Sequence, residues 1–435
     1  MTKRTVLLVD DNRDVLNWGC RATSISLHQI LSKQYKVSHV ITKTTVDTPL
    51  PISEVFPLNS EYIAFILRNV KNKYINEIIR IFHIKKDFIA ENPKQSLDSC
   101  LKFRRRIPLL DEIYSKVNSV DMVVINGEGS MIFTSPPRRD LLFQLFIIEL
   151  SSYLNKPTYY LNAMVSDCPV HGRNESTAKI AGECLKKCKG ISVRDPYSLK
   201  VLKEIAPDIN PTYIPDALFS WIKYIDSDIQ LPKCGDFLIP YPEDERFFGK
   251  FDFTSPYICV GGSSLAAWYP KESTQAYAKL VDKLKTMGIK LYLIQTCDGD
   301  SFLDQVSEKT DVPIIPTRTS ILIGAAILSK ATVFISGRYH PSILASLGGT
   351  PCIFLGSNSH KTLSLQDVLN YQDPTEYPAI PTHDSCEGIL LRVKEILNNE
   401  NSLRETIRET SLLRAEKTNE IIDLINMASM EHYED

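Results

Sequence analysis

The sequence alternates short apolar runs, typical of buried strands, with segments whose apolar residues recur at helical spacing. A first series begins with VLLVD and YKVSHVI and continues through VDMVVIN, PTYYLNAMV and GISVRD. A second series begins at YICVGGSS and continues through IKLYLIQ, ATVFIS and PCIFLG. Because this alternation requires parallel sheets covered by helices on both faces, it predicts an α/β protein with two doubly wound, Rossmann-type domains facing a cleft.

The same pattern predicts the domain boundaries. The first domain covers residues 1–225, and a segment rich in Lys, Arg and Ile at about 51–117 is predicted to be a helical insertion. Residues 226–254, rich in proline and mixed charge, are predicted to be a linker. The second domain is predicted over 255–400, and helices over 401–435 are expected to pack back onto the first domain.

Composition excludes several classes of protein. The 50 basic and 52 acidic side chains give a net charge of -2, so no overall field would gather nucleic acid. The strongest apolar run, LLFQLFIIEL, is interrupted by Gln144 and Glu149, and a membrane span needs about 20 apolar residues. The start of the chain has no signal-peptide core, so a cytoplasmic protein is expected. The basic segment from Lys102 to Arg106 suggests a solvated helix face or, at most, peripheral membrane contact.

The ten cysteines are scattered, and several fall in apolar strand-like runs, which favours reduced thiols over disulfides. Cys184 and Cys188 would share one side of a helix, and Cys168 with His171 could add ligands. This metal hypothesis is weak because no paired CxxC spacing supports it, so we expect no metal.

Polar residues follow the strands of the first series. Asn17 and Gly19 precede the first helix, where backbone amides could face a ligand or form a plain turn. In INGEGS, Glu128 lies between two glycines and is either a carboxylate at the cleft edge or a solvated turn residue. Arg194 and Asp195 precede a helix that starts at Pro196, so Asp195 suits the N-cap and Arg194 could point into the cleft.

The second series carries the densest group, in GRYHPSILASL. Pro341 favours a helix start, so Arg338 and His340 would lie at a positive helix end that binds phosphate or carboxylate. A histidine also titrates near neutrality and can move a proton, although one bonded only to a backbone carbonyl is common. Lys361 could bring a second positive charge or be a solvated surface lysine. Arg338→Ala is expected to abolish anion binding without disturbing the fold, because Arg338 is assigned to a loop.

Two further positions could complete this pocket. Gly262 and Ser263 follow the first strand of the second series, where free amides and a hydroxyl suit phosphate or sugar oxygens. Asp216, in PDALF, could orient a cationic group or cap a turn. The candidate substrate-binding residues are Arg338, Arg194, Lys361, Ser263, Gly262, Asp216, Asn17 and Gly19.

Taken in order, these motifs resemble the polysaccharide pyruvyl transferase family. The resemblance includes Asn17-x-Gly19, GEGS, SVRDPYS, PDALF and above all GRYHPSILASLGGTPCIFLGSNSHKT. It implies a GT-B-like fold and transfer of a pyruvyl group from phosphoenolpyruvate to a sugar of a cell-surface polysaccharide or glycan precursor, forming a ketal. Cys20 stands where the resemblance leads us to expect an aspartate.

The resemblance also implies that Arg338 and His340 bind the donor on the second domain and that Arg194 and Lys361 help to hold it. The partners would be phosphoenolpyruvate and a saccharide or lipid-linked saccharide on the first domain, with no cofactor. Ketal formation must protonate the donor's methylene carbon and deprotonate two hydroxyls, so His340 and Glu128 are the candidate acid and base.

Two alternatives remain open at this stage. The same cleft would suit a glycosyltransferase that uses a nucleotide sugar, and a non-catalytic glycan-binding relative would retain the cleft without turnover. The sequence carries no signal for the acceptor sugar or for an oligomeric state.

Overall fold

The computed structural model describes residues 3–52, 86–225, 231 and 251–430. Most of the predicted linker at 226–254 and the first part of the predicted insertion at 51–117 therefore lie outside the described residues. The rest of the chain forms two α/β lobes, which we call the first lobe (described residues up to 225) and the second lobe (251–417).

The first lobe contains one six-stranded parallel sheet and one short antiparallel pair. Its strands are β1 (Thr5–Asp11), β2 (Lys36–Thr42), β3 (Pro51–Ile52), β4 (Lys86–Asp87), β5 (Met122–Phe133), β6 (Thr158–Asp167), β7 (Gly190–Val193) and β8 (Thr212–Tyr213). The sheet order is β2-β1-β5-β6-β7-β8, and β3 pairs with β4 alone. Apolar side chains form a core on each face of the large sheet, as a doubly wound fold requires.

Helices cover both faces of the first sheet. They are α1 (Trp18–Ser32), α2 (Lys43–Asp47), α3 (Pro93–Phe103), α4 (Pro108–Asn118), α5 (Arg139–Tyr153), α6 (Glu175–Leu185), α7 (Pro196–Ile205) and α8 (Ile222–Ile225). The described part of the predicted insertion contains α3 and α4. Both begin with proline, which has no amide hydrogen to leave unpaired in a first turn.

The second lobe repeats the architecture with a second six-stranded parallel sheet. Its strands are β9 (Tyr257–Ser263), β10 (Lys290–Ile294), β11 (Ile314–Ile315), β12 (Val333–Gly337), β13 (Cys352–Leu355) and β14 (Glu376–Tyr377). Their order is β11-β10-β9-β12-β13-β14. The helices are α9 (Pro270–Lys285), α10 (Phe302–Thr310), α11 (Ile321–Lys330), α12 (Tyr339–Ser346), α13 (Lys361–Val368), α14 (His383–Asn398) and α15 (Glu400–Lys417). The predicted two-domain α/β fold is confirmed.

The start of α1 joins the two lobes. The Trp18 side chain is fully buried within the apolar core of the second lobe, and its indole Nε1 donates to the Thr317 carbonyl oxygen at 2.7 Å. The Trp18 backbone amide donates to the Thr296 carbonyl oxygen. A Cβ added to Gly324 would lie 2.3 Å from the Trp18 ring, so only glycine lets the ring pack there. The lobes therefore share one continuous core at this point.

The last described helix, α16 (Glu420–Met430), returns to the first lobe. Ile421 and Ile425 are buried in the same core as Leu8 and Leu27 of β1 and α1. No helix within the described residues is both long and apolar enough to cross a membrane.

Three elements differ from the sequence-based expectations. Helix α1 begins at Trp18 and so includes Gly19, which was expected to precede it, because the Asn17 side chain caps the helix by accepting from the Cys20 amide. Strand β5 continues through the predicted Gly-rich loop to Phe133, with an irregular register between Glu128 and Met131. Helix α12 begins before Pro341, at Tyr339, since proline is tolerated throughout a first helical turn.

Trp18→Ala should lower the free energy of unfolding by about 3–5 kcal/mol, because it removes a buried aromatic side chain from the shared core. Urea unfolding followed by circular dichroism measures the change. The matched control is Trp268→Ala, since Trp268 is 47% exposed and its loss should change stability by less than about 0.5 kcal/mol. Equal destabilisation by the two substitutions would contradict the assignment of Trp18 to the shared core.

Candidate functional site

Residues that follow strands of both lobes meet in one place. The meeting point is His340, in the first turn of α12, whose side chain packs against Gly19 of α1. A Cβ at Gly19 would lie 2.3 Å from the His340 Cβ. Glycine at position 19 is thus required for the second lobe to bring this histidine against the first.

The imidazole Nε2 of His340 lies against a buried ion pair of the first lobe. Arg194 Nη1 donates to Asp216 Oδ2 at 2.9 Å, and the His340 Nε2 atom is 3.0 Å from that nitrogen and 3.1 Å from that oxygen. The Arg194 and Asp216 side chains are 1% and 0% exposed. Arg194 also stacks on Tyr339, with its guanidinium carbon 4.3 Å from the ring centroid. Arg194 is therefore held inside the interface. The sequence-based expectation that it could point freely into the cleft is wrong.

Asp216 is the centre of this group. Burial alone would raise its pKa, but His340 and Arg194 outweigh that effect and hold the pKa below its usual range. Its other oxygen, Oδ1, accepts hydrogen bonds from the Thr23 hydroxyl at 2.7 Å and the Leu218 amide at 2.9 Å. Asp216 thus both caps a turn and orients a cationic group, the two roles that the sequence had left open.

Glu128 approaches the opposite nitrogen of the same ring. Its Oε1 atom lies 3.5 Å from His340 Nδ1 and 3.5 Å from the Cys20 Sγ atom. Glu128 has a φ of 36°, a left-handed conformation that costs free energy in a residue with a side chain. Burial opposes its ionisation, but the charges of His340 and Arg194 lower its pKa. The irregularity in β5 therefore aims an ionised carboxylate at the other lobe.

Arg338 is the N-cap of α12 and pairs with a residue that the sequence analysis did not select. Its Nε and Nη2 atoms donate to Asp300 Oδ1 at 3.0 and 2.7 Å. Asp300 is fully buried and fits against Gly262, where any Cβ would meet Asp300 Oδ1 at 2.0 Å. The remaining terminal nitrogen, Nη1, is 3.4 Å from the Ser264 hydroxyl.

Lys361 converges on the same hydroxyl. Its Nζ atom donates to Ser264 Oγ at 3.0 Å and to Asn358 Oδ1 at 2.8 Å. Burial and the neighbouring Arg338 charge lower the Lys361 pKa to about 7. An anion in contact with Lys361 would favour its charged form, so this amine can respond to ligand charge.

Some predicted site residues are engaged in internal contacts. The Ser263 hydroxyl donates to the Gly356 carbonyl oxygen, so Ser264, one residue later, provides the hydroxyl that faces the cations. The Asn17 side chain is used as the helix cap. Asp195 caps α7 as predicted, by accepting from the Ser198 amide at 2.8 Å, and it also contacts His360 of the second lobe.

The structure therefore brings together Arg194, Asp216, Glu128, Gly19 and His340 in one cluster. Arg338, Lys361 and Gly262 lie around Ser264 and Asp300 in a second one. The sequence analysis missed Asp300, although its place after β10, on the same sheet edge, was an available indication. It also treated Cys20 only as a departure, because nothing local shows that this thiol contacts Glu128.

The weak metal hypothesis for Cys168, His171, Cys184 and Cys188 is wrong. Within the described part of the chain, no three of these residues form a group with metal-binding spacing. Helix α6 ends before Cys188, and the Cys184 Sγ atom instead lies 3.4 Å from Glu149. The nine cysteines among the described residues are free thiols, as expected.

Three solved structures show the fold to which this chain is similar. A glycosyltransferase from Rickettsia africae ESF-5 has a TM-score of 0.51 and 14% identity, with 99% of each chain covered. A putative UDP-N-acetylglucosamine 2-epimerase from Listeria monocytogenes has a TM-score of 0.54 and 10% identity, covering 99% of this chain and 98% of that one. The N-terminal domain of trehalose-6-phosphate phosphatase from Candida albicans has a TM-score of 0.52 and 11% identity, covering 98% of this chain and 99% of that one. These likenesses show the GT-B-like fold alone.

No curated protein sequence matches the chain. The family model described as polysaccharide pyruvyl transferase matches residues 52–359. This range is more than half of the chain and includes most residues of both clusters described above. On this evidence of family and fold, the chain belongs to the polysaccharide pyruvyl transferase family, with a two-domain GT-B-like architecture.

Proposed function

We propose that this protein acts in the cytoplasm and transfers the pyruvyl group of phosphoenolpyruvate to two hydroxyls of a saccharide, forming a ketal and releasing phosphate. The family membership supports a transferase that modifies polysaccharide. The observation that carries the finer proposal is an imidazole–carboxylate pair, His340 and Glu128, with the Lys361 charge close enough to act on Glu128. Arg338 lies beside Lys361 at the Ser264 hydroxyl.

The cations suit a donor that carries both a carboxylate and a phosphate. Arg338 retains one terminal nitrogen toward Ser264, and Lys361 approaches the same hydroxyl from the other side. Asp300 neutralises part of the Arg338 charge, so the pocket avoids two uncompensated buried cations before the donor binds. A bound dianion would then stabilise the protonated form of Lys361, which strengthens the attraction.

The acid–base pair suits the two stages of ketal formation. In the first, a saccharide hydroxyl loses its proton and adds to C2 of the donor, while C3 gains a proton and becomes a methyl group. In the second, the other hydroxyl loses its proton and forms a bond to C2 as the C2–O bond to phosphate breaks. We assign the proton transfers to His340 Nδ1 and the Glu128 carboxylate, which face each other across the two lobes.

Arg194 and Asp216 act as positioning residues in this scheme. Their ion pair holds the Nε2 side of the imidazole, which leaves Nδ1 directed toward Glu128. Since the ion pair belongs to the first lobe and the histidine to the second, the packing of the two lobes against each other assembles the acid–base pair and shields it from water.

His340→Asn and Glu128→Gln should each lower the rate of product formation about 10²–10⁴-fold, because each removes a proton-transferring group. The assay mixes the protein with phosphoenolpyruvate and candidate saccharides, and follows phosphate release together with the mass of the saccharide. His383→Asn is the matched control. Because the His383 side chain is 79% exposed, this substitution should leave the rate of product formation unchanged. A pyruvyl ketal supports the proposal. A glycosyl increment from a nucleotide sugar, or tight binding without any product, would contradict it.

Arg338→Met should both weaken donor binding and lower the free energy of unfolding by about 3–5 kcal/mol, because it leaves the buried Asp300 charge unpaired. This corrects the expectation that Arg338 could be removed without affecting the fold. The double variant Arg338→Met/Asp300→Asn removes both charges and should recover most of the stability without recovering donor affinity. Calorimetric titration with phosphoenolpyruvate and urea unfolding measure the two effects. Full donor affinity in the double variant would refute the role of Arg338.

Lys361 should titrate near pH 7 in the free protein and at higher pH with donor bound, since burial and Arg338 lower its pKa. The amine is charged below that pH and loses its proton as the pH rises through it. NMR of the protein with ¹³C-methylated lysines measures the titration, and the missing resonance in Lys361→Arg gives the assignment. A resonance that titrates with the exposed lysines, unaffected by phosphoenolpyruvate, would contradict this prediction.

A further inference from the structure

Cys20 contacts the first cluster through Glu128, and the proposed reaction has no use for its thiol. Its thiol, the Glu128 carboxylate and the His340 imidazole come from α1, β5 and α12, and one ligand atom of each lies within 4.8 Å of the other two. Among the described residues, no other His, Cys, Asp or Glu side chains form a group of three with this spacing.

Two of the three distances between these ligand atoms match those around a tetrahedral zinc ion. With zinc–ligand bonds of about 2.0–2.3 Å, neighbouring ligand atoms of a tetrahedron lie about 3.3–3.5 Å apart. The Cys20 Sγ to Glu128 Oε1 and His340 Nδ1 to Glu128 Oε1 distances are both 3.5 Å. Thiolate, imidazole and carboxylate are also the three side-chain ligands that zinc uses in proteins. We propose that Cys20, Glu128 and His340 form a binding site for Zn²⁺, with a fourth coordination position open for water or another ligand.

The surroundings of the histidine fit this role. Zinc-bound histidines commonly donate their second N–H to a carboxylate, which fixes the tautomer and the ring orientation. Here Asp216 Oδ2 lies 3.1 Å from His340 Nε2 and is fully buried. Asp216 can therefore hold the proton on Nε2 and leave the lone pair of Nδ1 directed at the site.

The charges that face the site are compatible with a divalent cation. Ionised Glu128 and Asp216, together with a Cys20 thiolate, would provide three negative charges. Arg194 and zinc together would balance these, and Arg194 lies on the Nε2 side of the ring, away from the three ligand atoms. Lys361, the other cation near Glu128, has a pKa lowered to about 7 and can become neutral. Zinc binds the thiolate form of cysteine, so binding must release the Cys20 thiol proton.

Zinc and the proposed transfer would exclude each other. The metal would coordinate the Nδ1 atom of His340 and the Glu128 carboxylate. The proposed transfer needs both of these groups to accept and donate protons. Only this inhibitory consequence depends on the proposed function, because metal binding itself depends on the three side chains alone.

The binding test uses the full chain, treated with a chelator and then titrated with Co²⁺, which reports thiolate coordination through a charge-transfer band in the near ultraviolet. We expect a band that saturates at about one ion per chain, disappears when Zn²⁺ is added, and is absent in Cys20→Ser. Cys188→Ser is the matched control, since Cys188 is another part-buried thiol and its loss should leave the band intact. Circular dichroism confirms that each variant is folded.

The proposal is overturned by wild-type protein that gives no such band, by a band that persists in Cys20→Ser, or by equal loss in Cys188→Ser. The inhibitory consequence is read as the ratio of transferase rates with and without added Zn²⁺, which should be small for the wild type and near one for Cys20→Ser. If the metal-free protein makes no pyruvyl ketal, the proposed function fails, while the cobalt titration still decides the metal site.

Discussion

A buried ion pair, Arg194 with Asp216, is the interaction on which the rest of the site depends. Removing a guanidinium from water costs several kcal/mol unless a carboxylate compensates it, so neither residue can be buried alone. The pair forms within the first lobe, yet its outer surface contacts His340 of the second. One group of charges therefore sets the orientation of the imidazole against the first lobe.

Packing makes this electrostatic contact possible. Two glycines, Gly19 and Gly324, allow the start of α1 to approach the second lobe more closely than any side chain would permit. Trp18 fills the second lobe's core beside them. The apolar core thus brings the lobes to a separation at which polar groups of both can share hydrogen bonds, and the left-handed backbone of Glu128 completes the cluster from the first sheet.

One cluster consequently offers two kinds of chemistry. Beside Arg338, Lys361 and Ser264, the imidazole and carboxylate are the groups that would move protons in the proposed transfer. Toward Cys20, the same two groups resemble the ligand set of a zinc ion. The thiol stands where the family resemblance led us to expect an aspartate, and it supplies the third member of this ligand set.

The amino-acid sequence alone determined the two parallel sheets, because hydrophobic periodicity is local and survives without knowledge of contacts. It also located Arg338, His340 and Asp195 from turn and helix-start residues, whose preferences are likewise local. Only the tertiary structure decided that Arg338 pairs with Asp300 and that Cys20 faces Glu128, since these partners lie 38 and 108 residues apart. Each of these contacts lies within one lobe and forms only when the sheet brings residues from distant parts of the chain together, which no local pattern of residues specifies.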